Sequence, residues 1–348
     1  MKETARRAFI TSLVIGSVLV VALALWKLKV LIALLFLAFI IAAAMRPGVD
    51  ALRRLRIPRG VGVLIHYATL LGLVGLLLWL VVPRAIDQVQ NALGEENLRE
   101  EKAQATGWKR DALEGVQQRL EELPSARELI DPAVEVTVIG FEIFIGVFFV
   151  LACAAYWIFE REHTIRLVTS LMPRPRRKVV RDTWDLIDAK LGAYVRGQAL
   201  LITLVATTLS LVFWAIGLPF WLLVGVFAGF VEIVPVIGPL SAGAVAVGVG
   251  LTESIQLGIA AGVVVLIVRL VEDYLVIPKV LGEAVGLSPL LVLVSVTATA
   301  ILFGGFAVLL AIPLAAVLAT LIDVIVLDKD PAEKEVPTVI FSAQDSEG

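Results

Sequence analysis

One carboxylate, two prolines and a glycine interrupt a long apolar stretch in the second half of the chain. Glu232 is followed by Pro235, Gly238 and Pro239, with apolar sequence on both sides. The prolines remove two amide donors and the glycine loosens the turn, so a helix should break here and leave unpaired backbone groups. Such backbone is tolerated at membrane depth only where protein or a wet cavity surrounds it. Half-helix ends beside a carboxylate form substrate or ion sites in transporters.

A second charged group follows about forty residues later. Arg269, Glu272 and Asp273 end an apolar run and stand at i, i+3 and i, i+4, a spacing that allows ion pairs on one helix face. Because a charge at mid-bilayer costs at least about 2.5 to 3.5 kcal/mol, this group is a functional-site hypothesis. Two interpretations stay open, a gate and a structural salt bridge that lowers the insertion cost.

Other chemistry is missing from the sequence. There is no G-x-x-x-x-G-K-[ST] loop and no His-Glu-x-x-His motif, and the chain has one cysteine and two histidines. Cys153 cannot form an intrachain disulfide, and His66 and His163 cannot build a His-rich metal site. We therefore expect no enzymatic activity, no cofactor and no metal. Transport by this chain, if it occurs, must therefore be driven by a transmembrane gradient or by a separate protein that supplies the energy.

The composition places these groups in a membrane. Of the 348 residues, 59% are apolar and 18% charged, and the mean hydropathy is +0.92. Soluble proteins are about 45 to 50% apolar and about 25% charged. A spanning helix needs about 20 residues. We therefore predict an all-α, polytopic integral membrane protein with about eight transmembrane helices, a Pro/Gly-broken re-entrant hairpin and a small helical extramembrane insert.

The predicted spans follow the apolar runs. We predict that the first two runs form a retained helical hairpin and not a cleaved signal, because only three residues separate them. Pro83 is predicted to end the third span. The arms on either side of the Pro235 to Pro239 break are about 22 Å long, which favours a hairpin re-entering from the outer face over two tilted spans. The runs cover 9–26, 30–45, 61–82, 136–159 and 199–216, followed by a Gly- and Pro-interrupted region to 327.

Charge sets the predicted orientation. Basic residues dominate the first tail, the loop after the second span and the segment 160–197, whereas 84–135 has seven basic and twelve acidic residues. By the positive-inside rule, both termini are predicted to be cytoplasmic. The basic amphipathic segment is predicted to lie in the headgroup layer. Nucleic-acid binding is rejected because the basic cluster abuts a span.

The chain is thereby divided into six parts. The polar insert is predicted to contain short amphipathic helices on the non-cytoplasmic side, and the last part is predicted to be disordered. The parts are the first three transmembrane helices (1–83), the insert (84–135), the fourth span (136–159), the cytoplasmic basic segment (160–197), the transport core (198–327) and the tail (328–348).

A series of motifs in the second half resembles the autoinducer-2 exporter (AI-2E) family of bacterial membrane transporters. The resemblance covers about residues 10 to 326. Glu232 stands where members often have Asn or another residue, which raises the chance of cation or proton coupling. The motif residues are Tyr194, Arg196 and Gln198, then Pro235, Gly238 and Pro239, then Gly286 and Pro289, then Gly304, Gly305 and Pro313.

The resemblance implies an inner-membrane protein that forms homo-oligomers in the lipid bilayer. It also implies either export of a small polar solute such as autoinducer-2 or exchange of sodium or lithium for protons. We predict a secondary exporter first and a monovalent cation/proton antiporter second. A non-transporting membrane scaffold that uses the insert 84–135 is the third hypothesis. The predicted substrate or ion path consists of Glu232, Pro235, Gly238, Pro239, Arg269, Glu272 and Asp273.

Overall fold

All regular secondary structure in the part of the chain described is helical. The computed structural model describes residues 2–93, 130–234, 237–277 and 287–333. A π-helical turn, Glu272–Val276, continues α8, and 3-10 turns cover Gly305–Leu310 and Pro331–Glu333. The α-helices are α1 (Lys2–Lys27), α2 (Lys29–Arg54), α3 (Arg59–Leu93), α4 (Ile130–Ser170), α5 (Arg174–Ala215), α6 (Trp221–Val231), α7 (Ile237–Glu253), α8 (Ile255–Val271), α9 (Pro289–Phe303) and α10 (Ala311–Ile325).

Within the described ranges, seven helical segments are long and apolar enough to cross a membrane. Three shorter apolar helices, α6, α7 and α9, accompany them. This confirms the prediction of a polytopic, all-α membrane protein. The predicted span that opens at Pro289 is α9, which is shorter than these seven segments. The seven segments are Phe9–Lys27, Lys29–Arg54, Arg59–Arg84, Gly140–Ser170, Arg174–Ala215, Ile255–Val276 and Gly305–Ile325.

The junction of α1 and α2 differs from the predicted helical hairpin. The Leu28 amide donates to the Ala24 carbonyl and the Ile32 amide to the Leu28 carbonyl, both at 2.9 Å. These are i to i−4 bonds, and only Leu28 leaves helical dihedrals, with φ −88° and ψ 5°. One such residue cannot reverse the chain. The two helices therefore follow one bent path, and the side of the membrane on which the N-terminus lies stays a prediction.

Three helices run longer than the apolar runs that predicted them. α3 continues through Pro83 to Leu93, because proline removes only one ladder bond, and the Arg84 guanidinium donates to the Leu80 carbonyl at 2.8 Å. α4 has 41 residues and α5 has 42. Most of the polar insert, residues 94–129, lies outside the described residues, so the predictions for it stay open.

The amphipathic segment 160–197 is not a separate element. It is the end of α4, a short turn and the first half of α5, which continues for about 63 Å. Part of its apolar stripe packs on protein: Trp184 stacks on Trp157 of α4 with ring centroids 5.8 Å apart, and Leu191 and Tyr194 are buried. The place of the segment relative to the lipid headgroups stays a prediction.

Helices α5 to α8 form an antiparallel unit held by close backbone contacts. A Cβ on Gly225 of α6 would lie 2.2 Å from Ser210 Oγ of α5, and one on Gly229 would lie 2.6 Å from Ala206 Cβ. A Cβ on Gly250 of α7 would meet the backbone of α8 at 2.7 Å. Small residues allow membrane helices to approach this closely. The unit therefore brings the α6–α7 turn and the end of α8 to the same end of the bundle.

The predicted turn at Gly304 and Gly305 separates α9 from α10. Gly304 has φ +89° and ψ 175°, a conformation that is essentially restricted to glycine. Gly305 begins the 3-10 turn, and Pro313 is buried in the first turn of α10, where a missing amide costs little. The Lys190 ammonium of α5 donates to Thr320 Oγ1 of α10 at 2.9 Å, which ties the two helices together.

Candidate functional site

Four charged side chains meet where α6 ends and α8 enters its π-helical turn. Arg269 Nη1 donates to Glu232 Oε1 at 2.7 Å and to Glu272 Oε2 at 3.3 Å, while Arg269 Nη2 contacts Asp273 Oδ1 at 2.9 Å. The predicted ion pairs of Arg269 with Glu272 and Asp273 therefore form. Glu232 joins them from a second element 37 residues away in sequence. We call these four residues the Arg269 cluster.

Local structure positions each member of the cluster. Ser254 caps α8, its Oγ accepting from the Leu257 amide at 3.1 Å. The helix then widens into the π turn that begins at Glu272, a feature that is frequent at functional sites. Glu232 is the first residue after α6. At 1.5 Å per residue, Arg269 lies about 21 Å along α8 from its start, within the roughly 30 Å of a hydrocarbon core.

The cluster carries an excess of negative charge in a poorly hydrated place. Glu232 is 9% exposed and Glu272 only 2%, whereas the Asp273 side chain is 40% exposed. Three carboxylates face one guanidinium, a formal charge of −2 when all are ionised. Glu272 Oε1 is buried without a hydrogen-bond partner among the described residues. Such an oxygen is costly unless a proton, a cation or water satisfies it.

Among the described residues, no group of three or more His, Cys, Asp or Glu side chains is placed to hold a metal ion. Because three carboxylates share one guanidinium, a proton or a monovalent cation can compete with Arg269 for a carboxylate oxygen.

The predicted helix break is confirmed and is tighter than the sequence indicates. α6 ends at Val231 and α7 begins at Ile237, and a Cβ on Gly238 would lie 1.9 Å from the Val231 carbonyl oxygen. The Val234 amide donates to that same oxygen at 3.0 Å. Pro239 lies in the first turn of α7, where its missing amide costs nothing, and Pro235 lies outside the described residues. The break therefore leaves fewer backbone amides and carbonyls without a hydrogen bond than its two prolines suggested.

The motif around residue 196 connects the break to the first half of the chain. Gln198 Nε2 donates to the Glu232 carbonyl at 3.2 Å. Two residues earlier on α5, Arg196 Nη1 donates to the Ala44 carbonyl of α2 at 3.2 Å. Pro47 lies inside α2 and cannot continue its hydrogen-bond ladder. Gln198 therefore ties the break to α5, Arg196 ties α5 to α2 close to Pro47, and Tyr194 is buried on the same helix.

The remaining motif residues act on the backbone away from this hydrogen-bond network. Gly304, Gly305 and Pro313 shape the α9–α10 turn, and Pro289 begins α9 behind the Ser288 cap. Gly286 lies outside the described residues. The sequence analysis also missed the Gly225-x-x-x-Gly229 spacing that seats α6 on α5, although this spacing is a recognised signal for close helix packing.

A second buried charge network was also missed. Arg161 Nε of α4 donates to Asp188 Oδ2 of α5 at 2.5 Å, and Arg46 Nη1 of α2 donates to the same oxygen at 3.3 Å. Arg161 also pairs with Asp185. Asp188 Oδ1 is buried without a hydrogen-bond partner in the described part of the chain. The network joins three helices, and its partners are up to 142 residues apart, so no local spacing could reveal it.

Comparisons with known proteins agree in pointing to transport. The model of the AI-2E family transporter matches residues 15–327. "Putative transport protein YrrI" of Bacillus subtilis is 24% identical over 296 residues, covering 82% of this chain and 83% of that protein. "Putative permease PerM" of Escherichia coli K12 is 28% identical over 170 residues, covering 47% of this chain and 46% of that protein.

Proposed function

The chain belongs to the AI-2E transporter family, and on that premise we propose that it is a secondary permease that exports a small polar solute across the bacterial inner membrane. The Arg269 cluster is the proposed site of substrate or ion coupling. The observation that carries the proposal is the position of Arg269 Nη1 between two buried carboxylates, at a helix break inside the apolar bundle. Ionisable groups within membrane helices are costly and rare, and they commonly lie on substrate or ion pathways.

The geometry supports a simple exchange. Arg269 on α8 holds Glu232 at the end of α6, so their ion pair joins the broken hairpin to α8. A proton or cation that binds Glu232 or Glu272 competes with the guanidinium and weakens this join. The α6–α7 turn then separates from α8, while Gln198 still holds the Glu232 carbonyl on α5. The proposed gate is therefore the contact between the break and α8.

The length of the hairpin arms fits this role. α6 has 11 residues and α7 has 17, about 17 and 26 Å, both shorter than a 30 Å core. A re-entrant hairpin whose turn lies inside the bilayer accounts for both lengths. With the C-terminus in the cytoplasm, as proposed, the hairpin enters from the outer face; the side of the N-terminus is a separate prediction, because α1 and α2 follow one bent path.

Monovalent cation/proton antiport is the second candidate, and the charge balance favours it. Three carboxylates against one guanidinium leave room for a cation, and Glu272 Oε1 offers an unused acceptor. In this case the exported species is sodium or lithium and the proton is the counter-ion.

Glu232→Gln in liposomes tests the proposal. Wild-type protein should move autoinducer-2 at a rate that depends on an imposed pH gradient, and the variant should lose that dependence because its amide cannot exchange a proton. Glu253→Gln is the matched control, at the other end of α7 where the side chain is exposed. Flux of Glu232→Gln equal to that of the control would remove Glu232 from the mechanism.

The same liposomes separate the two candidates. A pH-sensitive dye inside the vesicles should respond to added sodium or lithium if the protein is an antiporter. An exporter of a neutral solute should give no cation-triggered change. A pH change inside the vesicles that depends on sodium or lithium, without solute flux, would favour cation/proton antiport over solute export.

A further inference from the structure

A cavity of about 620 Å³ lies between α2, α5 and α10, apart from the Arg269 cluster. Its wall is largely apolar and includes Phe36 and Phe39 of α2, Trp184 and Ile187 of α5, and Leu321 and Val324 of α10. The hydroxyl of Thr183 in the wall already donates to the Val179 carbonyl at 2.6 Å, so it leaves that side of the cavity effectively apolar. The volume is that of a site for one organic molecule.

The cavity has a charged mouth at one end. Arg176 lines it from the first turn of α5, and Asp328 lines it three residues after α10 ends. Asp328 stands where the apolar α10 gives way to polar sequence, and Arg176 stands in the basic start of α5. Val179 and Ile325 also line the cavity and are 41% and 75% exposed, so its side opens onto the surface of the bundle. An apolar body with a charged end is the shape of a lipid.

The mouth carries one charge of each sign, Arg176 and Asp328, and the basic start of α5 gives its surroundings an excess of positive charge that favours a negatively charged occupant. Arg174, Arg176, Arg177 and Lys178 fall in the first five positions of α5. The helix starts after Pro173 without a side-chain cap, so its positive dipole end is not neutralised locally. Arg177 is engaged with the Met172 and Ser170 carbonyls. Arg176 is the basic side chain among them that lines the cavity.

We propose that this cavity binds an anionic phospholipid, with an acyl chain between α2 and α10 and the phosphate at Arg176. The apolar walls fit the chain because they replace the surrounding hydrocarbon. The guanidinium selects the phosphate group by charge and by paired hydrogen bonds. This lipid site is independent of the proposed transport site, since it involves none of the four residues of the Arg269 cluster.

Native mass spectrometry of the full-length protein tests the charge half of the proposal. The protein is released from vesicles of equal parts phosphatidylglycerol and phosphatidylcholine with identical acyl chains. We expect at least fivefold preferential retention of phosphatidylglycerol, reduced to near parity by Arg176→Gln. Arg174→Gln, the same substitution outside the cavity wall, should keep the preference. Equal retention of the two lipids, or an unchanged preference in Arg176→Gln, would overturn the proposal.

A filled cavity tests the apolar half. Val324→Phe should reduce retained phosphatidylglycerol at least fivefold, whereas Val326→Phe, on an exposed position two residues on, should not. Gel filtration verifies that both phenylalanine variants are folded. The comparison of Arg176→Gln with Arg174→Gln does not depend on these two variants. Deletion of residues 334–348 should leave retention unchanged. If the deletion instead raises retention severalfold, the cavity belongs to the chain's own C-terminal segment and the lipid assignment fails.

Discussion

Removing one partner of the ion pair between Arg269 and Glu232 should destabilise the protein far more than removing one partner of an exposed pair of the same length. Replacing Arg269 by Gln leaves Glu232 and Glu272 as buried carboxylates without their cation. Removing one partner of a buried pair costs about 3 to 5 kcal/mol. The Arg269 side chain is 27% exposed, so water relieves part of the penalty, and we expect the lower end, about 3 kcal/mol of unfolding free energy.

A double-mutant cycle isolates the pair. Arg269→Gln, Glu232→Gln and the double variant are unfolded by SDS titration in mixed micelles and followed by circular dichroism. A hydrogen bond to a charged group contributes about 1.5 to 3 kcal/mol, and we expect a coupling energy in that range. The double variant should therefore be more stable than the sum of the two single changes predicts.

An exposed pair of the same length supplies the control. Lys329 Nζ lies 2.7 Å from Asp323 Oδ1, equal to the Arg269 Nη1 to Glu232 Oε1 distance, but Lys329 is 51% exposed. Exposed pairs contribute about 0 to 1 kcal/mol. The reasoning fails if the two coupling energies are equal, because burial would then have no part in the strength of the Arg269 cluster.

Two further predictions concern other buried contacts. Gly238→Ala should disrupt the break and abolish flux, since its Cβ would lie 1.9 Å from the Val231 carbonyl oxygen. Gly248→Ala has open space around the new methyl group and should leave flux unchanged. Equal flux in both variants would contradict the packing argument. Arg161→Gln should lower the unfolding free energy by about 2 kcal/mol, because the buried Asp188 loses its 2.5 Å bond from Arg161 and keeps the longer 3.3 Å bond from Arg46. Adding Asp188→Asn should recover part of that loss, and no recovery in the same SDS titration would refute the explanation.

The sequence by itself determined the features that depend on local pattern. Hydropathy gave the spans because the lipid core requires about 20 apolar residues in a row wherever a helix crosses it. Pro235, Gly238 and Pro239 predicted the break because proline and glycine change the backbone of the helix in which they lie. The pairing of Arg269 with Glu272 and Asp273 followed from helical spacing alone.

Only the tertiary structure decided the contacts between distant segments. Glu232 reaches Arg269 because close glycine contacts pack α6 on α5 and α7 on α8. The sequence of one helix does not show which other helix it packs on. Asp188 meets Arg46 and Arg161 from two other helices. Hydropathy shows where the chain enters lipid but not where a helix ends in water. The full length of α5 and the bend at Leu28 could therefore not be predicted from it. Packing between distant helices therefore decides which charged residues pair, because helical spacing alone does not distinguish between the possible partners.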